Sequence, residues 1–336
     1  MISKVEGQTG ERRAALPGVV RGARRALPIL VGAAALAGLV VAVNPRSLVG
    51  ALSRFNPFVI PVVILLSVSW YVLQGVRWHF LLCRVGAALR PIDTVLLSIA
   101  GQTITALFPL GDLTRALFAA DAAGIEFGSS AATVTVQELT FTLLLVLIGI
   151  PGMMALHVGT GAMAAMVVGM AATFAILTVS PLFRLVHAVV SHLPLVRRLR
   201  HQIAELQGRT VSLLHRPDTL GWSTLDLARA AVGVTVLWTI VEGLEPGAID
   251  WWEAGLVVAV AYVGGAVSFL PGGTGASDAS LVGLLVVLGV HPGIAGAAAL
   301  LQRVATTGIA TSLGFAAYLL ARRRFALGGL LSRRAG

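Results

Sequence analysis

Two groups of residues in this sequence are spaced as if to meet a charged ligand. In the first, Pro271-Gly-Gly-Thr-Gly-Ala-Ser-Asp278 sets three glycines just before an acidic side chain and an apolar run. Gly272, Gly273, Thr274 and Gly275 can turn tightly, presenting backbone N–H groups and a helix N-terminus to a phosphate. No Lys-Ser/Thr pair follows, which argues against a nucleotide P-loop. The plainer alternative is a turn where glycine only lets two backbones approach, and a mixed role is expected. Asp278 is equally a proton or cation site and a first-turn cap.

The second group is ionisable residues deep in apolar segments. Arg303 stands ten residues into its segment, about 15 Å along a helix and therefore near a bilayer midplane. A charge at that depth marks a functional site and needs an anionic partner. Glu138 lies at similar depth in its own segment. Arg303 is expected to hold a substrate phosphate through its planar guanidinium, with Glu138 or Asp278 as resting partner. The rival is a structural ion pair joining two halves of the molecule. Gln137 and Gln302, with Gln74 and Gln102, either line the same polar cavity or bond between helices. Asp112 and Arg115 follow another Pro/Gly break, Pro109-Leu-Gly111.

Nothing else resembles a catalytic arrangement. The seven histidines show no metal spacing, and Ser, His and acid never form a recognisable triad. Residues 44–56 contain no acid, whereas a membrane glycosyltransferase would want a metal-binding acidic pair in such a loop. The expectation is no enzymatic activity, no cofactor and no metal.

These residues need elements to carry them, and composition says what kind. Of 336 residues, 57% are hydrophobic and 12% charged, with a mean hydropathy of +0.88. A soluble domain carries about a quarter charged residues, so most of this chain belongs in lipid. The net charge of +10 would suggest nucleic acid in a soluble protein. In a membrane protein it reads as arginines gathered in cytoplasmic loops, and no nucleic-acid partner is expected. The single Cys83 rules out an internal disulfide, and Asn44 and Asn56 each precede proline, so neither opens a glycosylation sequon.

Spanning runs are Ala26–Val43, Pro57–Leu82, Ser130–Leu156, Val158–Pro181, Leu227–Leu244 and Gly293–Leu320. The first is read as a retained span rather than a cleaved signal. Pro91–Phe108 and Trp251–Leu270 each break in a Pro/Gly turn and continue as a piece too short or too polar to cross alone. If both are re-entrant hairpins, the basic N-terminus (1–25), Arg77, Arg84, Arg90, Arg115, Arg229, the loop 183–222 and the tail 321–336 all lie inside. The cation-free loop with Glu242, Glu245, Asp250 and Glu253 then lies outside, as do Arg46 and Arg54; two helices that both cross give the same sidedness and stand as the alternative. The expected fold is all-α and polytopic: about six full spans, two re-entrant hairpins, and both termini on the cytoplasmic side of the inner membrane. Residues 26–320 form one membrane domain, and the basic loop 183–222 is either an amphipathic helix on the inner leaflet or a plain connector.

The chain also matches itself at an offset of 165 residues. Gly124 meets Gly289, Gly128 meets Gly293, Ala132 meets Ala297, Gln137 meets Gln302, Thr142 meets Thr307 and Gly149 meets Gly314. The halves, about 57–156 and 227–320, run in opposite directions across the bilayer. This is an expected inverted repeat of the kind that builds midplane sites in transporters. Chance recurrence of small residues is the alternative. The turns 107–115 and 270–278 are expected to meet near the midplane around one polar cavity.

The glycine turn with Asp278 and the later Leu301-Gln302-Arg303 resemble the C-terminal signature of the lysylphosphatidylglycerol synthetase transmembrane family. Arg77-Trp78, Pro109-Leu-Gly-Asp112 with Arg115, Gly124 and Glu138 resemble its first half. The likeness covers roughly residues 60–320. Departures are a shorter first turn, Leu139 in place of an arginine, Asp278 where Glu is commoner, and an end at Gly336 without the soluble aminoacyl-transferase domain. The resemblance implies a flippase-like membrane module. Its expected work is moving an anionic phospholipid or polyprenyl-linked lipid between leaflets, with a homo-oligomer or an envelope-biosynthesis enzyme as possible partner. The alternatives are a non-transporting partner of such an enzyme and a membrane-embedded transferase.

Overall fold

The computed structural model describes residues 45–105, 112–154, 156–157, 159–179, 181, 206–268 and 270–325. The run Ala26–Val43, the first Pro/Gly turn at 106–111, most of the basic loop and the far tail lie outside them. Among the described residues every regular element is helical. They are α1 (Pro45–Leu52), α2 (Ile60–Arg84), α3 (Pro91–Thr105), α4 (Asp112–Ala123), α5 (Phe127–Gly149) and α6 (Thr160–Thr178). Then come α7 (Pro217–Gly221), α8 (Thr224–Leu244), α9 (Trp251–Val267), α10 (Ala276–Val287), α11 (Pro292–Arg303) and α12 (Ile309–Phe325).

Local chemistry sets several boundaries. Proline opens α1, α3, α7 and α11, where its fixed φ suits the first helical position and its missing N–H costs nothing. Asp250 and Glu253 close a reciprocal capping box on α9. Gly124 and Gly289 follow α4 and α10 with φ of 65° and 95°, a left-handed turn that ends a helix without the strain a Cβ would add. Residues 304–308 form a π-helical turn between α11 and α12, so the expected continuous span 293–320 carries one wide turn in its middle.

Among the described residues four helices are long and apolar enough to cross a membrane: Pro57–Arg84, Phe127–Met154, Pro217–Leu244 and Pro292–Phe325. The expected span 158–181 coincides with α6, of 19 residues. By contrast α3, α4, α9 and α10 have 15, 12, 17 and 12 residues. At 1.5 Å per residue these reach only about 18–26 Å, short of a hydrocarbon core of about 30 Å.

Each short pair returns to the face it leaves. Asp93 at the start of α3 pairs with Arg324 at the end of α12, and Glu126 beyond α4 pairs with Arg209. Arg84, Arg209 and Arg216 line one shallow depression, so both ends of α3–α4 belong to an arginine-rich face. At the opposite face the Asn56 N–H bonds the Gly243 carbonyl, Gly152 packs on the backbone of Trp252, and Gly293 packs on Ser47. Both ends of α9–α10 lie there. α2 packs against α8, α3 against α12 and α9 against α5. One core joins α5, α8, α9 and α11 through Leu145, Leu237, Val257 and Ala298. A second joins α2, α3, α4, α5 and α12 through Trp78, Leu97, Phe118, Val134 and Ala321. The chain is an all-α polytopic membrane protein.

Candidate functional site

A cavity of about 220 Å³ opens between α2, α5, α8, α9, α10 and α11. Its wall is mostly apolar and aromatic, with Trp70, Tyr71 and Phe141 on one side and Tyr262 on another. Its polar part is Ser67, Gly272, Ser277, Asp278, Gln302, Arg303 and two threonines of the π turn, Thr306 and Thr307. Pockets that fix a ligand by a few placed polar groups in an apolar wall have this make-up.

Arg303 is gripped by Asp278. Its Nε donates to Oδ1 at 2.8 Å and its Nη2 to Oδ2 at 2.7 Å. The carboxylate also accepts the Gly275 N–H at 3.0 Å, so Asp278 is helix cap and ion-pair partner at once. Nη1 of Arg303, like Oε1 of Gln302 and Oγ of Ser67, has no hydrogen-bond partner among the described residues. Three polar groups on the cavity wall are thus buried yet uncommitted, the condition in which a ligand gains most from bonding them. The π turn directly after Arg303 has a lateral hold, the Tyr71 hydroxyl donating to the Thr306 carbonyl at 3.0 Å.

The glycine turn differs from the expected open phosphate cradle. Gly272, Gly273 and Gly275 all have positive φ, of 58°, 64° and 84°. The Gly273 N–H is taken by the Leu270 carbonyl and the Gly275 N–H by Asp278. A Cβ at Gly273 would sit 2.9 Å from the Gly265 Cα, so the turn is pressed against α9. Of the four turn residues only Gly272 lines the cavity; Gly273, Thr274 and Gly275 shape the backbone behind it.

Glu138 does not meet Arg303, contrary to one of the two expected pairings. It lies in a separate cluster one layer closer to the arginine face. Glu138 Oε1 accepts from Arg115 at 2.6 Å, from Arg229 at 3.3 Å and from Gln74 at 3.3 Å. Its Oε2 accepts from the Tyr262 hydroxyl at 2.9 Å. Arg115 also donates to Gln137 at 2.8 Å, and Asp112 stands 4.0 Å from its Nε. Gln102 donates to Gln74, and Gln137 donates to the Gln74 carbonyl, so the glutamines bond between helices here. The Arg229 guanidinium is sandwiched between Trp70 and Phe141, 4.0 and 3.9 Å from their ring centroids. Tyr262, Trp70 and Phe141 touch both cluster and cavity.

A third layer lies nearer the arginine face still. Arg77 Nε donates to Asp226 at 2.9 Å, and its Nη2 reaches the Thr219 carbonyl and the Ser223 hydroxyl. Thr140 donates to the same Asp226 oxygen at 2.7 Å. Beyond it Phe80 stacks on Trp222 at 3.6 Å and Arg84 pairs with Asp218.

Three arginines expected among the inner-face charges, Arg77, Arg115 and Arg229, are therefore not surface charges. They are at most 1% exposed and engaged with carboxylates inside the bundle. Asp226, Trp70 and Tyr262 are site residues that the sequence alone does not single out. One signal was available: Asp226 and Arg229 are three residues apart, hence on one face of an otherwise apolar helix.

The family model described as lysylphosphatidylglycerol synthase TM region matches residues 26–314. No curated protein matches the chain.

Proposed function

The chain belongs to the lysylphosphatidylglycerol synthase TM region family, and on that footing we propose that it moves an anionic lipid between membrane leaflets. The lipid would be a phospholipid or a lipid-linked precursor. The observation that carries this reading is Arg303. Eleven residues after Pro292, about 17 Å along its helix, its guanidinium faces a cavity and keeps Nη1 uncommitted. A phosphate entering there gains a charge-assisted bond without first dismantling the Asp278 pair.

The path we infer uses the two halves as an inverted repeat of re-entrant hairpins. The element order supports this: α2–α5 and α8–α12 each run long helix, two short helices, long helix. Each half ties its second short helix to its last long one by an arginine–carboxylate pair, Arg115–Glu138 in one and Asp278–Arg303 in the other. The charges are exchanged between the two, so a pseudo-two-fold axis sets an acid opposite a base. We place the arginine-rich face in the cytoplasm and the chain in the inner membrane, from the positive-inside bias.

The test is reconstitution of the purified protein into liposomes containing a fluorescent phosphatidylglycerol. An impermeant quencher should reach the inner-leaflet probe faster than in protein-free vesicles, and Arg303→Ala should remove the acceleration. Equal rates with and without well-folded protein would overturn the reading. Chemical turnover of the lipid without movement would instead make the chain a transferase.

A further inference from the structure

We infer that Arg77 is a second anion-binding station, one that takes the phosphate of a lipid head group when Asp226 releases it, and that the Arg77–Asp226 pair is the gate between cavity and arginine face. The inference rests on the transport reading and extends it from a site to a path.

The layering along α2 and α8 carries the argument. On α2, Ser67, Trp70 and Tyr71 line the cavity, Gln74 joins the Glu138 cluster, and Arg77 comes one turn further. On the antiparallel α8 the same descent passes Ala230, Arg229 and Asp226. Tyr71 to Arg77 is six residues, about 9 Å of helix. A head group leaving the cavity toward the arginine face therefore meets cationic groups at successive turns, each held by a carboxylate it can displace.

Arg77 is built for such an exchange. It is 1% exposed, and its Nη1 has no partner among the described residues; nor has Oδ1 of the fully buried Asp226. A purely structural pair would be expected to use both forks fully, since an unmet buried donor is costly. Phosphate can offer a planar guanidinium two acceptors, whereas Asp226 engages Nε through one oxygen alone. The neutral partner of Asp226, Thr140, would hold it while Arg77 is away.

The test uses a reporter cysteine and the lipid assay together. Ser277 lines the cavity and is partly exposed, and Ser277→Cys in a Cys83→Ser background gives one thiol there. An impermeant reagent should reach it from the acidic-loop face but not from the arginine face. In the Arg77→Gln/Asp226→Asn variant, which removes both charges together, it should become reachable from the arginine face. Lipid movement should nevertheless fall about tenfold, because a charge-assisted station is gone. Arg77→Lys should lie between the two. Unchanged labelling and unchanged movement in a folded double variant would overturn both gate and station. Opened labelling with undiminished movement would overturn the station. Protection of the reporter in the native gate background by inorganic phosphate alone, without anionic lipid, would overturn the assignment to a head group. Labelling does not depend on lipid movement, so absence of movement in the native protein would fail the transport reading separately.

Discussion

Arg303 and Asp278 are joined by two parallel hydrogen bonds, at 2.8 and 2.7 Å, 25 residues apart in sequence and across the cavity's polar wall. The pair is largely buried, the side chains being 15% and 6% exposed. Arg303→Ala should therefore lower stability by about 3–5 kcal/mol, leaving Asp278 unpaired, and should abolish lipid movement. Arg303→Lys keeps the charge but loses the fork; it should fold and move lipid about tenfold more slowly. Pairing Arg303→Ala with Asp278→Ala should restore the melting temperature and leave movement absent. Recovery of both by the double variant would show that Arg303 is only structural.

Glu138 is the sole carboxylate reaching both Arg115 and Arg229 among the described residues. Glu138→Gln should cost about 3–5 kcal/mol, because two buried guanidiniums lose their shared counter-charge. Tyr262→Phe deletes one bond to the same carboxylate and should cost about 1–3 kcal/mol. Thermal unfolding in detergent would rank the two, and an equal loss would contradict the shared-charge account.

Gly273 combines positive φ with backbone contact to α9. Gly273→Ala should cost about 1–2 kcal/mol for the left-handed backbone, and about 1–3 more for overpacking against Gly265. Gly124→Ala has the same sign of φ but open space around it, so only the first cost applies. Thermal melts of the two variants should separate by the packing contribution.

Sidedness can be read with single cysteines. In a Cys83→Ser background, Arg216→Cys should resist an impermeant thiol reagent in intact cells and react in inside-out vesicles. Glu245→Cys should behave the opposite way. Reaction of Arg216→Cys in intact cells would reverse the placement of the arginine face.

Most of the helices were legible because an apolar run bounded by Pro or Gly has few alternatives in lipid. The turn after Leu270 was legible for the same reason: Gly272, Gly273 and Gly275 are spaced for positive φ. Arg303 with Asp278 was one of two expected pairings, since only burial depth could be read. What remained hidden was long-range. Arg77 and Arg229 stand near the ends of their apolar runs, where a charge ordinarily marks a loop. Their burial depends on Asp226 and Glu138 arriving from helices 149 and 91 residues away in sequence. The aromatic sandwich of Arg229 likewise requires α2 and α5 to meet. The π turn at 304–308 has no sequence sign, as no proline stands there.

That π turn is also a one-residue surplus in an otherwise regular rod. An extra residue in one turn advances everything after it by about 100° around the axis. Gly149 and Gly314, matched by simple counting, therefore need not present the same face in their two halves. The surplus also makes α12 a crank. Were residues 304–308 to tighten to α-helical pitch, the Tyr71 bond to Thr306 would have to be remade and the far end of α12 would swing. Arg324, and with it the tie to Asp93 on α3, would feel a change that began next to Arg303. One wide turn thus gears the cavity wall beside Arg303 to α3.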